Sequence, residues 1–325
     1  MSIQWIDLSG LGGLDQLGDG GEGVVYRITQ PVGYVYKEYK SVVAAEVFPK
    51  GLEVTAELIH QLGDKQSFIG ERSAWPEVLV RKNGAFSGYL MKKIPDEFNC
   101  RHGMKGRARH GLTDWNKLVT RDDWKDNTNI ESSVPRLNEA PKKNEEVLLK
   151  LLLDLATFFE YLHSQKIVIG DVSGRNLLWA IKPSPTVFLI DCDGFRREGE
   201  RAVTTSKETP DWFDPQLNGG DTTLDSDRFK LAIAIYRAFF SDPFGTPNQP
   251  KNSVSTHQTK ILELARRGTA PSNRTTAKEW REALEGMISG GRGVRKWTKP
   301  ERRQPSPDST ESNNPVKKFR PWQRK

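Results

Sequence analysis

The sequence predicts an α+β protein, with an antiparallel sheet and one main helix in the first hundred residues and mainly helix after them, in one large two-lobed domain or two ordinary ones. Three observations carry this expectation. Short β-forming runs separated by Gly, Pro and Asn crowd the first hundred residues. Helical patterns dominate the remainder, at 147–162, 229–240 and 277–287. No apolar run approaches the roughly 18–20 residues needed to span a bilayer. The best candidate, VLLKLLLDLATFF (147–159), is broken by Lys150 and Asp154.

Taken in order, LGDGGEGVVYRI (17–28) and VGYVYKEY (32–39) read as antiparallel strands joined through Pro31-Val32-Gly33, followed by a helix around Leu52–Leu62. EVLVRKNGAFSGYLMKKI (77–94) is a second hairpin with Asn83-Gly84 as its tight turn. Residues 1–94 form the expected N-terminal lobe and 95–288 the C-terminal one. From Pro95 to about Lys143 the chain is irregular and charged, including RHGMKGRARH (101–110), and reads as an insertion at about 96–143 or a mobile loop. Apolar residues then recur at Val147, Leu148, Leu151, Leu152, Leu155, Phe159 and Leu162, one stripe of a helix packed on a core. KIVIG (166–170) and VFLID (187–191) flank the loop VIGDVSGRNLLW (168–179) in the manner of a small hairpin. A Ser/Thr-rich loop, a buried helix at Phe229–Phe240 and a last helix near Ala277–Met287 follow.

At 325 residues, 36% of them hydrophobic and 28% charged, the chain has ample material for a core and the profile of a soluble protein. The net charge of +7 is uneven, because residues 289–325 alone carry eleven Lys/Arg against Glu301, Asp308 and Glu311. The rest of the chain is close to neutral. This basic segment is rich in Pro, Ser and Asn and is expected to be disordered. Two cysteines, Cys100 and Cys192, give neither a disulfide framework nor a cysteine-based zinc site. The opening MSIQWIDLSG lacks the basic-then-apolar order of a secretory signal, so a reducing cytoplasm is the expected compartment.

Several residues suit chemistry on phosphates. Gly18, Gly20, Gly23 and Val25 fit G-x-G-x-x-G-x-V between two strands, where missing side chains let backbone N–H groups approach a phosphate. A plain glycine turn is the alternative. Because the glycines open a strand and not a helix, a dinucleotide fold is disfavoured. Lys37, among Tyr34, Val35 and Tyr36, needs an anionic partner if the strand is buried, and is an edge lysine if it is not. Asp171 and Asn176 lie five apart, and Asp191 ends the next strand. Asn176 and Asp191 offer hard oxygens for Mg²⁺ bridging nucleotide phosphates, and Asp171 is left to accept a proton from an incoming hydroxyl.

In this order the motifs resemble the protein-kinase superfamily. Ile169-Gly170-Asp171 stands where the family has His-Arg-Asp or His-Gly-Asp, and Asp191-Cys192-Asp193 stands at Asp-Phe-Gly. Thr209 to Gln216 is similar to the segment ending in Ala-Pro-Glu, and Asp227 to the anchor of the catalytic loop. Asp242-Pro243-Phe244 and SNRTTAKEWREAL (272–284) match closing elements. The resemblance spans roughly 10–288, and IDCDGF with Ala74-Trp75-Pro76 resembles a bacterial, eukaryotic-like group. It implies a kinase-like two-lobed fold, ATP and Mg²⁺ as cofactors and a protein Ser/Thr substrate. Asp171 is the implied base, with nucleotide held by Gly18, Gly20, Gly23, Val25, Lys37, Asn176 and Asp191.

The departures set further expectations. Gly170 removes the arginine that receives an activation-segment phosphate in many relatives. Ser173 replaces a lysine, and Arg175 is either the substitute cation or a packing residue. Asp193 either reaches a metal through water or caps its turn, with the turn preferred. Gln216, in place of a glutamate, loses an ion pair to Arg274 while keeping a hydrogen bond. Either Glu53 or Glu57 pairs with Lys37. Two competing readings are a pseudokinase or nucleotide-binding scaffold without turnover, and a small-molecule kinase, which the 192–216 segment disfavours. RKWTKPERR (295–303) and KKFRPWQRK (317–325) interleave cations with Trp297, Phe319 and Trp322, suiting nucleic acid, an acidic partner or an anionic membrane surface, or serving as a solvated tail with no partner.

Overall fold

A computed structural model describes residues 4–44, 49–102, 109–119, 144–203, 209–217, 221–248 and 255–290. The first part of the chain is a six-stranded sheet. Its strands are β1 (Gln4–Asp7), β2 (Leu14–Asp19), β3 (Gly23–Ile28) and β4 (Tyr34–Tyr39), then β5 (Val78–Lys82) and β6 (Ala85–Lys92) after the helices α1 (Ser41–Ala44), α2 (Pro49–Leu58) and α3 (Gln66–Gly70). Spatial order is β1-β5-β6-β4-β3-β2. Both expected hairpins form, and the β5–β6 turn places Asn83 at φ 53° and Gly84 at φ 78°, the left-handed pair that a two-residue turn demands. The sheet is mixed, not wholly antiparallel, because β1 joins the outer edge of β5 in parallel register from Gln4↔Val78 to Asp7↔Arg81. An edge strand that far upstream in sequence is not held by any hairpin, so nothing local announces its direction.

The second part is mainly helical. It begins with the hairpin β7 (Asn99–His102) and β8 (Arg109–Leu112) and the short α4 (Trp115–Val119), followed by α5 (Glu145–Ser164). The first residues of the expected insertion therefore pair as a ladder, while 103–108 and 120–143 lie outside the described residues. Asn144 caps α5 by accepting from the Val147 N–H, 3.3 Å, and Glu145 and Glu146 occupy its positive end. The expected stripe is buried from Leu148 to Leu162, with Val147 half-buried at the end. Helices α6 (Leu224–Phe240), α7 (Thr256–Gly268) and α8 (Ala277–Gly290) complete the core, with α5 against α8 and α6 against α7. The proposed tail, but for Ser289 and Gly290 in α8, lies outside the described residues.

Between α5 and α6 the chain makes β9 (Ile167–Val168), β10 (Leu177–Ala180), β11 (Thr186–Leu189) and β12 (Arg196–Arg197). The small hairpin expected between 166–170 and 187–191 does not form: β9 pairs with β12, and β11 with β10. The loop carrying Asp171 is therefore held by two separate ladders, one on each side. Another correction concerns Gln216. Arg274 is fully buried and forks onto both carboxylate oxygens of Asp214, so an ion pair persists through a neighbouring acid and Gln216 contributes its backbone N–H to Asp214, 3.0 Å. No helix among the described residues is long and apolar enough to cross a membrane.

Candidate functional site

A cleft of about 810 Å³ lies between the β2–β3 turn and the loops that follow β9 and β11. Gly18, Gly20, Gly23, Val25, Lys37, Asp171 and Asp191 all line it, so folding gathers seven of the nine expected site residues around one space. Gly23 is demanded by packing, since a Cβ there would sit 2.5 Å from the Glu38 carbonyl oxygen on β4. Gly18 and Gly21 are not, since a Cβ at either meets nothing within 4 Å. Their bareness opens backbone toward the cleft instead. Val35, Met91 and Ile190 give the adjoining wall an apolar surface.

Lys37 is on β4 opposite Val25 and only 4% exposed, so it is a buried cation and not an edge lysine. Its Nζ donates to Asp193 Oδ2 at 3.0 Å and to Asp191 Oδ1 at 3.2 Å, with Glu22 Oε2 at 3.9 Å. Burial works against the ammonium, but the charges of Asp193 and Asp191 outweigh it and hold the pKa well above the ordinary value. Neither Glu53 nor Glu57 is the partner; Glu53 accepts from Trp5 Nε1 at 3.1 Å. Asp193 is likewise no mere turn cap. It is buried, and although burial raises its pKa, Lys37 and the Tyr39 hydroxyl, which donates at 2.5 Å, lower it below the ordinary value.

The loop bearing Asp171 is held from behind by two helices, α5 and α6. Asp227, in the first turn of α6, accepts the N–H groups of Ile169 at 2.7 Å and Gly170 at 3.0 Å, which is the anchoring expected of it. His163 of α5 approaches the same carboxylate at 3.4 Å, so a histidine reaches Asp227 although the loop has none. Lys230, one turn further along α6, donates to the Gly170 carbonyl at 2.8 Å. Gly170 itself has φ 83°, a left-handed backbone that suits glycine. Asn176 Nδ2 donates to Asp171 Oδ2 at 2.9 Å, and the Thr209 hydroxyl donates to Oδ1 at 3.4 Å. Burial raises the Asp171 pKa; the Lys230 charge and the Asn176 bond pull against it, and Asp191 adds to the rise.

Two expected residues fall elsewhere. Asn176 is buried behind Asp171 and is not in the cleft wall, and Arg175 is exposed and outside it. Three wall residues, Glu22, Asp193 and Arg196, and Lys230 of α6 are not legible in the sequence in these roles. Arg196 is 5% exposed, lines the cleft and donates to the carbonyls of Thr222, at 2.7 Å, and Glu200, at 3.1 Å. Lys230 did leave a signal, a single cation inside the apolar run FKLAIAIY (229–236).

Among the described residues no group of three or more His, Cys, Asp or Glu side chains is arranged around a metal position. Magnesium asks for less, one or two carboxylates with phosphate and water oxygens completing an octahedron. Asp191 fits that requirement, being half-exposed on the cleft, and Asn176 spends its amide nitrogen on Asp171, which leaves a hard amide oxygen. No protein-family model matches the chain, and no curated protein is significantly similar to it.

Proposed function

We propose that the chain is a two-lobed, kinase-like enzyme that transfers a phosphoryl group from Mg·ATP to Ser/Thr hydroxyls of a protein. One observation carries the reading: a buried lysine from the early sheet and an aspartate 154 residues later meet at 3.2 Å inside a cleft that also holds Asp171 and a glycine turn. A buried cation and a carboxylate facing a glycine turn suit an anionic ligand bound together with a metal ion. Gly18, Gly20 and Gly21 present backbone to the phosphates, and the apolar wall of Val25, Val35, Met91 and Ile190 accepts the base. Lys37 orients the phosphates by charge. Asp191, from the cleft wall, and the amide oxygen of Asn176, from behind it, would hold Mg²⁺, which would supply positive charge to the phosphates. Asp171 takes the proton of the acceptor hydroxyl, and its Oδ1 already lies 3.4 Å from one hydroxyl, that of Thr209.

Labelled ATP with Mg²⁺ tests this directly. Transfer to the protein itself or to a generic basic protein is expected, and Asp171→Ala is expected to abolish it in a folded protein. Equal labelling by the variant rejects Asp171 as the base. One observation favours the second reading, a nucleotide-binding scaffold: Arg175, the expected cation for the transferred group, is exposed and outside the cleft. Stabilisation by Mg·ATP without turnover would identify that case.

A further inference from the structure

We propose that Asp193 is the positioning residue for Lys37, taking the part that an acid on helix α2 was expected to play, so that the sheet cation is locked to the loop bearing Asp191. The pairing stands on geometry, and only its catalytic consequence rests on the phosphoryl-transfer reading. Among the described residues three carboxylates lie within 3.9 Å of Lys37 Nζ, from Asp193, Asp191 and Glu22, and none comes from α2. Asp191 and Glu22 are each 48% exposed, whereas Asp193 is 9% exposed. Attraction is least screened where water is excluded, so the Asp193 pair dominates. The remaining walls also suit a trapped ammonium, with the rings of Tyr39 and Tyr89 at 5.4 Å and 5.7 Å. Tyr39 fixes Asp193 in turn through its hydroxyl.

Helix α2 holds the same loop by other means. Thr55 Oγ1 donates to the Phe195 carbonyl at 2.6 Å, and Trp75 Nε1 donates to the Thr55 carbonyl at 2.8 Å. Its acids have no part in this. A shift of α2 that kept loop 191–195 in place would therefore leave Lys37 paired, and Lys37 is released only when that loop moves. Asp191 shares Lys37 through Oδ1 at 3.2 Å yet stays half-exposed, so its carboxylate still faces the cleft.

Competitive labelling of the full chain with acetic anhydride across pH, read at Lys37 by peptide mass spectrometry, tests the pairing without ATP. The groups facing Lys37 are Asp193 and Asp191 from one loop, Glu22 from the glycine turn, Tyr39 from its own strand and Tyr89 from β6. Asp193→Asn is expected to lower the half-labelling pH by about 1–3 units, Asp193→Glu to retain the wild-type value, and Glu53→Gln and Glu57→Gln to leave it unchanged. A folded Asp193→Asn protein with wild-type labelling overturns the inference. So does a shift in either α2 variant, whatever the folding of Asp193→Asn. With Mg·ATP, Asp193→Asn is expected to lose turnover on the order of 10²-fold through misplacement of Lys37, and Asp193→Glu to recover most of it. The labelling shift with no turnover in any protein, wild type included, supports the pairing and rejects the phosphoryl-transfer reading alone.

Discussion

Asp171 sits in an environment that sets its protonation through opposing effects, and the balance can be read in pH. Burial pushes its pKa above the ordinary 3.8, and the nearby charge of Lys230 limits the rise. A base whose pKa is raised loses its active form as pH falls through that raised value, so the acid limb of turnover should lie above pH 3.8. Lys230→Met should move the limb to higher pH, and Lys230→Arg should return it; a pH–rate profile for each variant checks both. The opposite sign applies to Asp193. Its depressed pKa means that its stabilising pair is complete above the ordinary value of 3.8 and is lost as pH falls through the lower folded value. Lys37, raised, keeps its share below its ordinary 10.5 and loses it as pH rises through the folded value. Chemical denaturation should therefore show no loss from this pair across the neutral range.

Single elements carry consequences of their own. The glycine turn joins β2 and β3, and its glycines divide by what a side chain would meet. Gly23→Ala sets a Cβ against the β4 backbone and should destabilise the fold by about 1–3 kcal/mol. Gly18→Ala meets open space, so it should leave the melting temperature alone and weaken Mg·ATP binding. Thermal melting and nucleotide titration separate the two. Arg274, one residue before the buried Thr275 and fully enclosed, has the buried Asp214 carboxylate as its two-pronged partner and the half-exposed Asp225 carboxylate at 3.3 Å. Asp214→Ala breaks the buried pair and leaves the guanidinium with the half-exposed Asp225 carboxylate at 3.3 Å, so it should cost about 3 kcal/mol, the lower end for a broken buried pair, measured by denaturant unfolding.

For the whole molecule, ligand binding across the cleft should appear as stability. The sheet contributes Lys37 and the glycine turn, and the helical part contributes Asp171 and Asp191, so a ligand that touches both ties them together. At about 100 times its Kd a ligand stabilises a fold by about 2.7 kcal/mol. Mg·ATP should raise the melting temperature by a few degrees, and Asp191→Asn should reduce that rise.

By itself the sequence determined the α+β class, both hairpins of the early sheet, the buried faces of α5 and α6, the ordered set Lys37–Asp171–Asp191 and the anchoring by Asp227. The class, the hairpins and the buried faces follow from periodicity and turn chemistry, which act over a few residues, whereas the ordered set and the Asp227 anchor come from the resemblance to the protein-kinase superfamily. Only the tertiary structure decided the parallel edge strand β1, the pairing of β9 with β12, and the choice of Asp193 over Glu53 or Glu57 for Lys37. It also decided that Asp214, not Gln216, answers Arg274, and that Arg175 faces solvent. Asp193 and Glu53 offer the same carboxylate from distant parts of the chain, and Asp214 and Gln216 offer acceptors two residues apart. Identity and spacing rank such partners equally; distance and burial, which set the strength of a charge pair, exist only once the chain has folded.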